Sequence, residues 1–309
     1  MTTLLSARTV GSFDPQASPD GDRAAMRRAH TAWAMFVEQG IVRHPEKPAL
    51  LQRVVAAPRV VGRTTRRWSH AAGLTANISA ALRRLHLLER GGADANTERL
   101  MFQRWLANNV CAIHGVEVQA SGCVHLLDER SPSIVVANHI SYLDPVAILS
   151  RLPAFSIAKR EVARWPFVGG LATRLGMVPY ARGDACDGAR VLRRCEAYLD
   201  EGHSVLAFPE GTTTRGRTLA RFHRGAFYLA QRCGVPVLPI VLRYDCDEAP
   251  WVGDEAFVPH YVRTTARPTT RMSMEVLGPM RPRSGESSQD FCARVEAQMH
   301  ERLMSDGHG

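Results

Sequence analysis

The 309 residues are 45% hydrophobic and 22% charged, an ordinary globular composition with enough apolar chain for one large α/β domain plus an appended element, or for two domains. Seven cysteines, at 111, 123, 186, 195, 233, 246 and 292, form no Cys-x-x-Cys pair and are odd in number, so neither a disulfide framework nor a zinc site is expected and a reducing compartment is the default. The net charge of +9 is an N-terminal property, because residues 1–110 carry 16 Arg or Lys against 8 Asp or Glu, while residues 111–309 carry 23 against 22.

Such a basic region attracts anionic lipid surfaces or nucleic acid, and charge alone does not choose between them. Residues 1–22 mix Gly, Pro, Ser, Thr and Asp without periodicity and are expected to be disordered. They lack the basic start and apolar core of a signal peptide. A helix over 23–42 would gather Met26, Ala29, Trp33, Phe36 and Val37 on one side before Pro45 and Pro48 end it. A better-patterned helix over 67–89 carries Trp68, Ala71, Thr75, Ile78, Leu82 and Leu85 at spacings of three and four. A third, over 97–113, aligns Phe102, Trp105, Leu106, Val110 and Ile113. No uncharged apolar run approaches the ~18 residues that a membrane-spanning helix needs. Any one of these stripes is explained by packing on a neighbouring domain. Together with the local charge, they make 23–113 a basic amphipathic helical region expected to lie on an anionic membrane surface.

From residue 114 to 309 strand-like and helix-like segments alternate. Strands are expected over 116–120, 134–137, 155–158, 177–180, 204–208, 235–242 and 272–277. Helices are expected over 144–151, 161–174, 187–201 with Gly202 as C-cap, 219–233 and 288–303. The alternation defines an α/β domain with a largely mixed or parallel sheet flanked by helices.

One stretch of that domain concentrates chemistry. In SPSIVVANHISYLDP, ending at Pro145, four apolar residues from Ile134 to Ala137 read as a strand buried on both faces, and polar residues begin abruptly at Asn138. His139 then stands just past the carboxyl end of a buried strand, facing a crevice. Residues five apart share neither a helix face nor a strand face, so His139 and Asp144 meet only if 140–143 turn. Asp144 followed by Pro145 reads as an N-cap with proline at the first helical position. A carboxylate reaching back to the imidazole would fix its tautomer and make a base of the other nitrogen. The alternative is that Asp144 only caps and His139 is a loop residue.

Two further strand ends carry polar loops. Pro209 to Gly216, PEGTTTRG, offers Glu210, Gly211, Thr212, Thr213 and Arg215 to an anionic or polyol head group, or is a polar turn. Lys159 ends another strand and is followed by an apolar Trp165 to Val168 patch, two glycines and, later, Arg182. Basic residues in these places can bind phosphate.

These residues carry a resemblance. Asn138 to Asp144 resembles the NHxxxxD motif of the glycerolipid acyltransferases, the family that includes 1-acylglycerol-3-phosphate acyltransferase. Three more blocks agree in order: Lys159 to Arg182 with its Lys-x-Glu and Pro-Phe-x-Gly, Phe208 to Gly216 resembling FPEGTR, and VPVLPI at 235–240. FHRGA at 222–226 also fits, with His223 where lysine is commoner. The likeness spans about 115–242 and leaves 1–110 outside. It implies O-acyl transfer from acyl-CoA or acyl-carrier protein as co-substrate, without a cofactor or metal, to a lysolipid hydroxyl. His139 and Asp144 would be catalytic, and Lys159, Arg182, Glu210, Gly211, Thr212, Thr213 and Arg215 substrate-binding. It implies a peripheral location at the cytoplasmic face of a membrane, with no nucleic-acid partner.

One departure bears on the acceptor. The third block usually has arginine three residues after its glutamate, where this chain has Thr213 and the nearest arginine is Arg215. 1-Acylglycerol-3-phosphate is the expected acceptor and lyso-ornithine lipid, which lacks a phosphate, the alternative. No G-x-S-x-G elbow occurs, consistent with direct attack on a thioester. Two rivals remain at this point: a metal hydrolase using His139, Asp144, Glu210 and His223, and a catalytically silent basic binding module.

Overall fold

The apolar runs become the strands of one sheet, and helices fill the chain between them. The computed structural model describes residues 58–92, 94–127, 131–165, 168–181, 185–253 and 255–305. The disorder expected over 1–22 and the helix expected over 23–42 lie outside the described residues. In chain order come α1 (Pro58–Arg90), α2 (Asn96–His114), β1 (Val116–Gly122), β2 (Ile134–Ala137), α3 (Leu143–Arg151), β3 (Ala154–Lys159), α4 (Val168–Arg174) and β4 (Val178–Tyr180). They are followed by α5 (Ala185–Asp200), β5 (Ser204–Ala207), α6 (Gly225–Cys233), β6 (Val237–Tyr244), α7 (Phe257–Ala266), β7 (Thr270–Val276) and α8 (Ser288–Ser305).

The seven strands lie in the order β1-β7-β6-β2-β5-β3-β4. Every neighbouring pair is parallel except β6 with β7. This is the mixed, largely parallel sheet that the sequence pattern predicts. β2 sits centrally, with Ile134 level with Val237 on one side and Val205 on the other, and all four of its residues are 0% exposed. Alternation along β2 splits the interior into two cores. Ile134 and Val136 join Val191, Tyr198, Phe227, Phe291 and Val295 of α5, α6 and α8. Val135 and Ala137 join Ala147, Ile148, Leu206 and Leu238 on the face that α3 covers.

The N-terminal helices pack on this sheet. Leu100 of α2 enters the first core and Ala107 the second, while Phe102 packs with Leu85 of α1 and Leu175. Arg67, 8% exposed, donates from α1 to the carbonyl oxygens of Thr265, Arg267 and Pro268. Those carbonyls belong to the end of α7, where a helix leaves acceptors unpaired and favours a cation. The stripe expected over 97–113 is therefore divided, with Phe102 buried and Trp105 36% exposed, while Leu87 and Met101, outside the expected stripes, are 68% and 57% exposed. No helix among the described residues is long and apolar enough to cross a membrane.

Three elements differ from expectation. The helix expected over 161–174 is a short 3-10 turn, Arg160–Arg164, followed by α4. Between them Trp165 has φ −66° and ψ 130°, the extended backbone that a residue before proline prefers. The helix expected over 219–233 begins only at Gly225, because the N–H groups of Ala220, Phe222 and His223 are committed to Glu210, Glu296 and Pro209. α7 was not anticipated; its sequence, FVPHYVRTTA, is rich in β-branched and aromatic residues and carries an internal proline, so it gives no clean helical period.

Candidate active site

Asn138 is the first polar residue after β2 and is fully buried. A buried amide without partners would cost about 1–3 kcal/mol. Here its Nδ2 donates to Leu242 O at 3.0 Å while Leu242 N donates to its Oδ1 at 2.7 Å. The amide thus stands in for a ladder residue and pins the end of β2 to β6.

The chain then turns, and His139 and Asp144 meet. His139 Nδ1 lies 2.8 Å from Asp144 Oδ2, with the histidine side chain 21% exposed and the aspartate 0%. Asp144 Oδ2 also accepts from Ile140 N at 2.6 Å and Ser141 N at 2.8 Å, and its Oδ1 accepts from the Tyr244 hydroxyl at 2.7 Å. The expected N-cap is corrected by this geometry. Helix α3 starts at Leu143 with Tyr142 preceding it, and no side chain caps it. Asp144 lies inside the first turn and folds back to gather the N–H groups upstream. At the start of the helix Leu143 N donates to Ser141 Oγ at 3.4 Å and Asp144 N to Ser141 O at 3.1 Å.

The imidazole is fixed by packing as well, stacked on Phe208 with ring centroids 4.1 Å apart and planes at 22°. A histidine held by a carboxylate on Nδ1 presents Nε2 as its proton acceptor. Tyr244 was not anticipated. Its place follows from β6 lying beside β2, which nothing in the linear sequence specifies, and from its spacing of two residues from Leu242 on the same strand face. Burial, reinforced by the charge of Asp144, pushes the Tyr244 hydroxyl well above the ordinary tyrosine range, so it stays a donor.

The 209–216 loop braces the histidine from behind. Glu210, 3% exposed, accepts His139 N at 2.8 Å on Oε1 and Ala220 N at 2.7 Å on Oε2. Each of its oxygens thus accepts one backbone N–H, so Glu210 braces the histidine's backbone. Gly211, at φ +62°, donates to Phe208 O, and Thr214 donates from N and Oγ1 to His139 O at 2.7 and 3.3 Å. Gly216, at φ +71°, lies against Ile140; a Cβ there would sit 2.6 Å from Ile140 Cδ1, so only glycine lets the loops approach this closely.

The remaining expected residues are spread along the rim. Lys159, exposed, ends β3 two strands from β2, and Thr212 is exposed; Arg182 lies outside the described residues. Thr213 donates its hydroxyl to Trp251 O, and Trp251 N donates to Ile140 O at 2.9 Å, so the β6–α7 connection is tied to both loops. Arg215 lines a neighbouring cavity of about 520 Å³ with Arg217, Arg243, Tyr244, Asp245 and Asp247. Above α3, the Tyr142 ring is enclosed by Trp251, Phe257 and His260 at centroid distances of 5.7, 5.0 and 5.5 Å, and Trp165 lies tilted at 47° against Phe257 at 5.2 Å. These aromatics form one cluster, tied through Trp251 N to the turn that carries the histidine.

Comparison with known proteins agrees with the geometry. Residues 113–243 match the Acyltransferase family. Lyso-ornithine lipid O-acyltransferase of Pseudomonas aeruginosa is 32% identical over 194 residues, covering 61% of this chain and 73% of that enzyme. A chloroplastic 1-acyl-sn-glycerol-3-phosphate acyltransferase of Brassica napus is 33% identical over 139 residues, which is 45% of this chain and 40% of that protein. The crystal structure of a 1-acyl-sn-glycerophosphate acyltransferase from Thermotoga maritima superposes with a TM-score of 0.58 at 22% identity, over 79% of this chain and 96% of that one, and shares the fold. The chain belongs to this acyltransferase family.

Burial generates a pH dependence at Glu210. Desolvation pushes its carboxyl above the ordinary value of 4.5, against the pull of the Ala220 and His139 N–H groups. A carboxyl whose folded pKa is raised binds its proton more tightly when folded, so its contribution to stability is greatest below the unfolded value and declines as pH rises through the folded one. Glu210→Gln removes that decline but turns an amide NH2 toward one of the two backbone donors. The variant should be about 1–3 kcal/mol less stable at pH 4.5, with a stability profile that falls less steeply above it. Urea unfolding from pH 4 to 7 checks this, and parallel profiles for the two proteins would contradict it.

Proposed function

We propose that this chain moves a fatty acyl group from a thioester donor, acyl-CoA or acyl-carrier protein, to the free hydroxyl of a lysolipid, with His139 as general base and Asp144 as the group that orients it. The contact carrying this reading is the 2.8 Å pair between a fully buried carboxylate and Nδ1 of a partly exposed imidazole. Nε2 takes the proton from the acceptor hydroxyl, and the oxygen attacks the thioester carbonyl. The C–S bond breaks and the thiolate leaves, taking up the proton from the imidazolium. No covalent enzyme intermediate and no cofactor is required. Tyr244 supports Asp144 from the side opposite the imidazole.

His139→Ala should reduce turnover by about 10²–10⁴-fold, the range of a positioned general base. Asp144→Asn should fold, because the amide oxygen can still accept from the turn and its NH2 can donate to Tyr244, yet it should lose most of the rate because the charge facing the imidazolium is gone. Tyr244→Phe should lower kcat by roughly tenfold with KM unchanged, the effect of one hydrogen bond to a charged group. Steady-state kinetics with melting curves test the set; wild-type turnover in His139→Ala would sink the mechanism.

Two acceptors follow from the site. 1-Acylglycerol-3-phosphate is the acceptor that the motif order favours, with Arg215 and Arg182 supplying charge to its phosphate. Lyso-ornithine lipid is favoured by a separate observation: the Thr213 hydroxyl is spent on Trp251 O, and Arg215 shares its cavity with Asp245 and Asp247, a lining of both signs suited to a head group with both signs. Purified enzyme given both lysolipids in competition should acylate one of them. If the first is correct, Arg215→Ala raises its KM at least tenfold; if lyso-ornithine lipid is acylated and Arg215→Ala leaves 1-acylglycerol-3-phosphate unaffected, the phosphate reading falls.

The proposal includes peripheral binding at the cytoplasmic face of a membrane through residues 23–113. Exposed Leu87, Met101 and Trp105 and the basic surplus of the N-terminal region support it. Each Lys or Arg near an anionic surface contributes about 1 kcal/mol, screened by salt. Co-sedimentation with anionic vesicles should therefore weaken between low and high salt, and salt-independent binding would argue against the electrostatic part of this reading.

A further inference from the structure

On the β4 edge of the sheet, three strands from the histidine, arginines from three helices converge on one cleft. Arg99 of α2, Arg174 at the end of α4, and Arg190 and Arg194 of α5 line a cavity of about 330 Å³, floored by 176–179 and the ring of Tyr198. Glu89 is the one carboxylate in that lining and Asp187 pairs with Arg190 from beside it, so four guanidinium groups stand against two carboxylates and the cleft is net positive.

The cations are held in place individually. Glu89 Oε1 accepts from Arg99 at 2.5 Å and its Oε2 pairs with Arg174 at 3.3 Å. Arg190 donates to Pro179 O at 3.1 Å and is paired with Asp187, whose carboxyl is held at about 2 by the Ala181 N–H and by Arg190. Arg194 lies over the Tyr198 ring, 4.5 Å from its centroid. Glu89 and Asp187 offset part of the repulsion among these guanidinium groups, and a further anion in the shared space would offset the rest. The Glu89 carboxylate, gripped between Arg99 and Arg174, already shows how two oxygens of such an anion are held. Arginine forks suit phosphate for the same geometric reason that they suit carboxylate.

We propose that this cleft is a binding site for a phosphate group, separate from the crevice where acyl transfer occurs. Its volume is at the low end for small-ligand sites, which run from about 300 to 1,000 Å³. It has room for a phosphate and the group next to it, not for an acyl chain. That chemistry has two sources: the nucleotide phosphates of a coenzyme A donor, or the head group of a phospholipid, exposed Leu87 and Met101 lying on the same helices as Glu89 and Arg99. The site does not depend on the acyl-transfer reading; only the nucleotide source does.

The test uses the full chain, with the exposed pair replaced in Arg190→Ala/Arg194→Ala and, separately, Glu89→Gln. Inorganic phosphate, adenosine 3′,5′-bisphosphate and phosphatidylglycerol vesicles are titrated at constant ionic strength, with chloride and phosphatidylcholine as controls. Saturable binding to the wild type, weakened tenfold or more in the double variant and tightened several-fold in Glu89→Gln as the competing carboxylate loses its charge, is the expected result. A nucleotide source raises the KM for acyl-CoA in the double variant with kcat unchanged. A lipid source instead weakens vesicle binding and leaves that KM alone. If both variants keep wild-type melting curves or lose only stability, and none of the three probes distinguishes them from wild type, the arginines are merely a clasp between helices and the proposal is overturned.

Discussion

A carboxylate with no access to water organises the centre of this molecule. Burying an unpaired charge costs several kcal/mol, so Asp144 is tolerable only because His139 Nδ1, the Ile140 and Ser141 N–H groups and the Tyr244 hydroxyl all converge on it. The same four contacts build the site. Two close the turn that brings residues 139 and 144 together, one sets the face of the imidazole, and one ties the turn to β6. Satisfying the charge and placing the histidine are therefore a single structural event. It works only because Asn138 fastens β2 to β6 through Leu242 and so fixes where Tyr244 can reach.

The backbone of His139 is held as firmly as its side chain. Its N–H goes to Glu210 and its C=O receives Thr214, both from the loop after β5, the other neighbour of β2. The histidine thus hangs between the strands flanking β2, with β6 acting through Asp144 and β5 through Glu210. At Glu210 desolvation outweighs the Ala220 and His139 N–H groups, so its carboxyl is shifted upward. A loop that looks like a ligand cradle in sequence spends much of its polar capacity on internal bracing.

What was legible in the sequence follows from the range over which each signal acts. Buried parallel strands announce themselves as short apolar runs, and IVVA was delimited to the residue. The His139–Asp144 pair was legible because both partners lie within one turn and a proline follows. The cap was misread because Asp-Pro at a helix start usually points the carboxylate forward, whereas here the nearest unpaired donors lie upstream. Tyr244 and Trp251 were invisible because their partners are about a hundred residues away, and only the strand order brings them together. α7 escaped notice because its aromatic, β-branched and proline-containing sequence gives no helical period, and the Arg67 side chain that binds carbonyls at its end comes from nearly two hundred residues upstream.

The departure at Thr213 gains its meaning from that unanticipated segment. An arginine in this position would have a long, charged arm free to reach a ligand. Threonine has one short hydroxyl, and here it closes a contact between the loop after β5 and the chain leading into α7. The same chain places Trp251 N on Ile140 O and contributes aromatic rings around Tyr142. In this protein the position thus serves to dock an aromatic cluster beside the dyad instead of presenting a charge. On the proposed reading, recognition of the acceptor head group then moves to the neighbouring cavity, lined by Arg215, Arg217 and Arg243 with Asp245 and Asp247. A cavity with both signs of charge discriminates differently from an arginine clamp. Its three arginines and two aspartates favour a head group that carries both signs and can satisfy the carboxylates as well as the guanidinium groups.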